Sequence, residues 1–214
     1  MYIWNGLGKH NATNLSRKTL AVSLAECRKT AIIKENKIYL MEIIYMPGFG
    51  GNENSETFKT IFSKYPNSIF INYDNRNAEN AHNQILKELN KINSEDKIIV
   101  GQSLGGFWAE YFAEKYNFRV VLINPSLEPS ESLAKYNLTK NELESYRKFE
   151  TNKKIERGIS IIISKNDTIV NPKNVIAKYK DAVEIKYVEG NHKLTEFKTL
   201  IAELEKYERI KPNG

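Results

Sequence analysis

The stretch Lys97-Ile98-Ile99-Val100-Gly101-Gln102-Ser103-Leu104-Gly105-Gly106, continued by Phe107-Trp108-Ala109-Glu110-Tyr111-Phe112, decides how the rest of the chain is read. A short β-branched run leads into a Gly-x-Ser-x-Gly pentad, after which Leu104, Trp108, Tyr111, Phe112 and Tyr116 recur at helical spacing. The pentad therefore sits at a strand-to-helix junction. A serine on so sharp a turn is pushed out at the carboxyl end of its strand, and the turn tolerates little bulk nearby, which Gly101 and Gly105 provide for. Three fixed positions alone match by chance in roughly one chain in fifteen of this length. The flanking strand and helix raise the pattern above that background.

Outward from this unit, strand and helix signals alternate from residue 42 onward. The pattern predicts strands at Glu42–Met46, Ser68–Asn72, Lys97–Gly101, Arg119–Ile123, Gly158–Ser164 and Val183–Val188. Between them it predicts helices at Glu56–Lys64, Ala78–Ile92, Leu104–Tyr116 and Pro172–Lys180, and Leu194, Phe197, Leu200, Ile201, Leu204 and Tyr207 mark a last amphipathic helix. Such alternation implies about six mostly parallel strands with helices on both faces. Asn124–Arg157 interrupts it at what would be the carboxyl edge of the sheet, where a cap or specificity element belongs. Within that insertion Asn141–Phe149 predicts one helix, and Tyr136, Tyr146 and Phe149 are candidates to face a pocket or, equally, to anchor the insertion to the body.

A serine hydroxyl is a poor nucleophile unless a base takes its proton and an acceptor holds that base in the right tautomer. Asp167 lies just past the strand ending at Ser164, and His192 lies in Gly190-Asn191-His192 just past the last strand. Ser103, Asp167 and His192 thus fall on one sheet edge in the chain order of an α/β-hydrolase triad. Glu128 competes with Asp167 for the acid role, but Asp167 is favoured because it sits in a tight polar turn directly after a strand. An oxyanion would need preorganised donors. The backbone N–H of Leu104 supplies one, and the loop Pro47-Gly48-Phe49-Gly50-Gly51 after the first main strand supplies the other, most simply from Phe49. No Lys-Ser/Thr follows those glycines, so the loop is not a phosphate cradle of the P-loop kind.

Pro47-Gly48-Phe49, the Gly101–Gly106 elbow, Asn124-Pro125-Ser126-Leu127-Glu128-Pro129 and Gly190-Asn191-His192 together resemble the small α/β-hydrolase family of YqiA-like esterases, over about residues 41–207. The resemblance implies a compact hydrolase with a minimal cap, acting on short acyl esters or thioesters, with Ser103 as nucleophile, Asp167 as acid and His192 as base. Two features depart from it. Such families usually carry His-Gly where this chain has Pro47-Gly48, and they lack a basic 40-residue extension.

Composition sets the frame around the site. The 214 residues are 41% hydrophobic and 27% charged, as expected for one ordinary globular domain. Cys27 is the single cysteine and His10, His82 and His192 the only histidines, so no internal disulfide and no metal centre is expected, and no cofactor. Glu26 and Arg28 cut short the apolar run after Lys18, and no stretch reaches membrane-spanning length, which makes a cytoplasmic location the expectation. Seven basic residues against Glu26 and Glu35 put +5 of the net +6 into residues 1–40. These charges are scattered without aromatic interleaving, so a solvated extension is expected rather than a nucleic-acid-binding arm. Residues 1–40 are thus an appendage, in which 19–29 could form a short helix and Thr30–Ile33 could pair with Ile38–Met46, and residues 41–214 are the hydrolase domain with its cap at about 124–157.

Composition and motif leave the partner as a small-molecule acyl ester or thioester and say nothing of oligomeric state. Two other functions compete with acyl transfer. The same triad on this fold also hosts C–C bond hydrolysis and elimination, and the body could serve as the scaffold of a binding module.

Overall fold

The computed structural model describes residues 31–34, 37–92, 97–151, 153–155, 157–181 and 183–209. The helix expected at 19–29 lies outside them. The chain divides into two compact units at Leu40/Met41. In the first, β1 (Ala31–Lys34) and β2 (Lys37–Leu40) pair antiparallel, with Ala31 opposite Leu40 and Lys34 opposite Lys37.

The second unit carries β3 (Glu42–Met46), α1 (Glu56–Lys64), β4 (Ile69–Phe70), α2 (Ala78–Leu89), β5 (Lys97–Gln102), α3 (Leu104–Tyr116) and β6 (Arg119–Ile123). A cap follows, made of α4 (Pro129–Ser132), a 3-10 turn (Ala134–Tyr136) and α5 (Lys140–Arg147), and then β7 (Ile159–Ser164), α6 (Lys173–Tyr179), β8 (Ile185–Val188) and α7 (Phe197–Arg209). Its six strands form one parallel sheet in the order β4-β3-β5-β6-β7-β8.

Strand side chains alternate between two cores, as a sheet covered on both faces requires. Ile43, Tyr45, Ile98, Val100, Val121, Ile123 and Ile162 point to one side, against Phe58 and Ile61 of α1 and Leu200 and Leu204 of α7. Ile44, Met46, Ile99, Val120, Leu122, Ile161 and Ile163 point to the other, against α2, α3, α6 and Tyr146 of the cap. Helix α3 is nearly all buried, with Trp108 and Phe112 at 0% exposure, because it packs on the middle of the sheet. Helices α1 and α2 lie on opposite faces of the sheet and bury single stripes, their N-terminal ends marked by Ser55 and Asn77, whose side chains accept the N–H groups of Phe58 and Asn80.

The order places β3 between β4 and β5, so the chain leaves β3 to one side for β4 and returns past it to β5. The crevice outside the carboxyl ends of the strands at such a reversal is where this architecture receives ligands. The loops after β3 and β5 meet there.

Candidate active site

Ser103 has φ 54° and ψ −116° and is 8% exposed. Its backbone N–H donates to the Ile123 carbonyl, and its own carbonyl accepts from Gly106 and Ser126, so the turn is tied to α3 and to the loop after β6. The flanking glycines are steric necessities. A Cβ on Gly101 would lie 2.3 Å from the Gly105 carbonyl oxygen, and one on Gly105 would lie 2.0 Å from that of Met46. Strand β5, helix α3 and the end of β3 therefore approach backbone to backbone, which presses the first turn of α3 under the loop that follows β3.

His192 stands between the other two residues. Its Nε2 is 2.9 Å from Ser103 Oγ and its Nδ1 is 2.8 Å from Asp167 Oδ2. The imidazole is 18% exposed and the Asp167 side chain 2%. The other carboxylate oxygen, Oδ1, accepts the N–H groups of Ile169 (2.7 Å) and Val170 (3.1 Å). Burial is the largest single influence on Asp167 and opposes its charge. The hydrogen bond with His192, those from Val170 and Ile169, and the attraction of His192 outweigh it together, so the carboxyl is held below its usual range. Glu128 is turned elsewhere: it accepts from Asn174 Nδ2 and lines an open groove of about 570 Å³ between the cap and α6.

The loop after β3 lies over the nucleophile. A Cβ on Gly48 would come within 3.1 Å of Ser103 Cβ and 3.6 Å of Ser103 Oγ, which puts the backbone leading to Phe49 beside the hydroxyl. Leu104 opens α3, where N–H groups have no partner within the helix. Tyr73 and Asn75 brace the loop, neither of them singled out by the sequence pattern. Tyr73 Oη donates to the Pro47 carbonyl (2.5 Å), and Asn75 Oδ1 accepts from the Gly50 N–H. They follow an edge strand of two residues, where no periodicity marks a position. The Pro47 carbonyl thus has its own support in a chain that lacks the histidine usual there.

The three cap aromatics separate. Tyr136 stacks on Phe49 with centroids 4.7 Å apart and planes 19° from parallel, and burial first, then the Asp167 charge, push its phenol up. Tyr146 is fully buried, donates to the Asn75 carbonyl and meets Phe107 and Trp108 edge-on or tilted. Phe149 packs among His82, Trp108 and Tyr111. The structure therefore brings Tyr136 to the site and places Tyr146 and Phe149 in the aromatic layer that seats the cap on α3. Among the described residues no group of three His, Cys, Asp or Glu side chains could hold a metal ion, and no helix is long and apolar enough to cross a membrane.

Known proteins share this arrangement of strands and helices. The mouse alpha/beta hydrolase domain-containing protein 10 superposes with a TM-score of 0.64 at 15% identity, covering 77% of this chain and 88% of its own. Est1E from Butyrivibrio proteoclasticus superposes with a TM-score of 0.59 at 13% identity, covering 83% and 95%. At such identities the likeness establishes the α/β-hydrolase fold. In sequence, the UPF0227 protein YcfP of Escherichia coli is 28% identical over 182 residues, 80% of this chain and 99% of its own length. The resemblance to YqiA-like proteins read from the motifs is borne out by a family model that spans residues 42–208, from the start of β3 almost to the end of α7, and the chain belongs to that family, the uncharacterised protein family UPF0227.

Proposed function

We propose that this protein is a serine hydrolase that cleaves carboxylic esters or thioesters of small acyl groups through an acyl-enzyme on Ser103. The observation that carries the reading is the unbroken chain Asp167 Oδ2, His192 Nδ1, His192 Nε2, Ser103 Oγ, with steps of 2.8 and 2.9 Å, ending on a serine in a strained backbone conformation. With Nδ1–H donating to Asp167, Nε2 is the free lone pair that accepts the hydroxyl proton as Oγ attacks the acyl carbon. The protonated imidazole then returns that proton to the departing alcohol or thiol. Water repeats the sequence on the acyl-enzyme and releases the acid.

The backbone N–H groups of Leu104 and Phe49 serve as the oxyanion donors, since Leu104 follows Ser103 at the start of α3 and Phe49 follows Gly48, on which an added Cβ would come within 3.6 Å of Ser103 Oγ. Tyr136, stacked on Phe49, contributes to the acyl-binding wall. The esterase domain of a Rhodothermus marinus protein and the metagenome-derived lipolytic enzymes LipS and LipT share the fold and support hydrolysis over the other chemistries of such triads. The unit from Met41 onward is the catalytic domain, and the proposed location is the cytoplasm.

Fluorophosphonate labelling and p-nitrophenyl acetate turnover test this together. The expected result is labelling of Ser103 with a burst of about one nitrophenolate per chain, both lost in Ser103→Ala. Turnover that persists in Ser103→Ala, or wild-type protein that resists the probe, would refute it.

A further inference from the structure

Asn124, the first residue past β6, is 3% exposed and has φ 43°. Its backbone N–H still follows the ladder and donates to Ile162 O (2.9 Å), but its side chain reaches across two strand ends. Oδ1 accepts the Ser164 N–H at 2.7 Å, and Nδ2 donates to Ser164 Oγ at 3.0 Å and to the His192 carbonyl at 3.0 Å, with the Asn191 carbonyl at 3.5 Å. A second carboxamide meets the same carbonyl: Gln102 Nε2 is 3.5 Å from His192 O, while its Oε1 accepts from the Tyr45 and Thr57 hydroxyls. The residue before the nucleophile and the residue after the next strand thus converge on the main chain of the proposed base.

We propose that Asn124 is a positioning residue: its carboxamide clamps the Asn191–His192 backbone to the ends of β6 and β7, and so delivers the imidazole between Asp167 and Ser103. This rests on the serine-hydrolase reading above. The chemistry of the position selects the side chain. It must accept from one N–H and donate to a carbonyl and a hydroxyl, a combination that a neutral carboxamide supplies and a carboxylate does not. It must also tolerate positive φ, which asparagine does better than most residues with a Cβ. Serine could not span the distance, and glycine would keep the backbone while releasing the clamp. Ser164 and Asp167 belong to the same turn, since the Asp167 N–H donates to the Ser164 carbonyl (3.3 Å). One side chain therefore registers the acid's turn and the base's loop to each other.

The test uses the full chain with Asn124→Gly, which permits the observed φ, and Asn124→Asp, which keeps the size but puts acceptors against both carbonyls. Chains with a competent nucleophile are counted by endpoint fluorophosphonate labelling, and kcat and KM for p-nitrophenyl acetate are expressed per labelled site. The expected result is a kcat lower by about 100-fold, the scale of a misplacement near 1 Å, with KM changed less than about threefold. A Gly variant whose melting temperature falls while kcat per labelled site is unchanged would show a structural residue only, and would overturn the proposal.

A measurement on wild-type protein stands whether or not the variants fold. The Asn124 side-chain NH2 protons should exchange with solvent at least about tenfold more slowly than those of the exposed Asn90 or Asn54. Equal exchange would mean that the carboxamide is not clamped and would also overturn the proposal. Wild-type protein that resists the fluorophosphonate defeats the hydrolase reading and this one with it, whereas ready labelling with normal turnover in Asn124→Gly defeats this one alone.

Discussion

Asp167→Asn is the perturbation that most directly separates a working triad from a lone serine in a tight turn. The two carboxylate oxygens have different neighbours. Oδ1 is fixed by the N–H groups of Ile169 and Val170, so in the amide the oxygen must stay on that side and the NH2 must face His192. His192 Nδ1 then has to accept, the ring proton moves to Nε2, and Nε2 can no longer take the proton of Ser103. The electrostatic loss has the same size as the tautomer penalty. At 2.8 Å and an effective dielectric constant of about 20, a carboxylate and an imidazolium attract by about 6 kcal/mol. The expected loss in kcat is about 10⁴-fold, or roughly 5 kcal/mol of transition-state stabilisation. Folding should be nearly unaffected, because the amide preserves volume and both backbone hydrogen bonds. The assay is p-nitrophenyl acetate turnover per labelled site, with thermal unfolding run in parallel. Retention of more than about a tenth of wild-type kcat would refute the assignment. Glu128→Gln serves as the control, since a side chain engaged with Asn174 should change kcat by less than about twofold.

Other substitutions probe the elements around the site. Gly105→Ala places a Cβ 2.0 Å from the Met46 carbonyl oxygen, a contact with backbone that cannot turn away; the urea midpoint should fall by the equivalent of about 3 kcal/mol or more, at the upper end of overpacking costs. Tyr136→Ala removes the ring stacked on Phe49 and should shift the ratio of kcat/KM between butyrate and acetate esters by about tenfold; equal scaling of both substrates would exclude a pocket role. The hydrogen bonds from Arg76, and then those from Thr139, hold the Glu142 carboxyl at about 2, below its ordinary 4.5. A depressed folded value stabilises the fold above the unfolded pKa and loses that contribution as pH falls through the folded one. The melting-temperature deficit of Arg76→Gln should therefore be constant above about pH 5 and shrink between about pH 4.5 and 2, and a deficit independent of pH would refute the ion-pair account.

The fold was legible because each strand carries a β-branched or aromatic run and each helix a stripe, and the two periods alternate without conflict from Glu42 to Tyr207. The weakest strand shows where that legibility ends. Ser68–Asn72 suggests five strand residues, yet only Ile69 and Phe70 pair with β3. An edge strand has one neighbour, and its pairing ends with the bond from the Ile71 N–H to the Tyr45 carbonyl (3.0 Å) while Ile71 itself is fully buried, so burial that outlasts the pairing lengthens the strand read from the sequence. The last strand shortens similarly, from Val183–Val188 to Ile185–Val188, because it too has a partner on one side only.

The site divides by whether a residue's role is local or borrowed. Ser103 is readable because the turn that exposes it needs glycines at fixed offsets, and Asp167 and His192 because strand ends in a parallel sheet share one edge. The cap aromatics and the bracing residues have no such rule. An apolar stripe on α5 records that one face is covered, and the same stripe would serve a ligand or a neighbouring helix; only Trp108, Tyr111 and His82 on the other side decide that Tyr146 and Phe149 close a core. Asn124 and Gln102 lie further still from sequence logic. Their amides act on the main chain of His192, a group every residue possesses, so nothing at position 192 or its neighbours advertises the contact. Such positions emerge once buried donors and acceptors are followed to their partners, and here that path leads from two carboxamides, read in the sequence only as parts of longer motifs, to the loop that carries the proposed base.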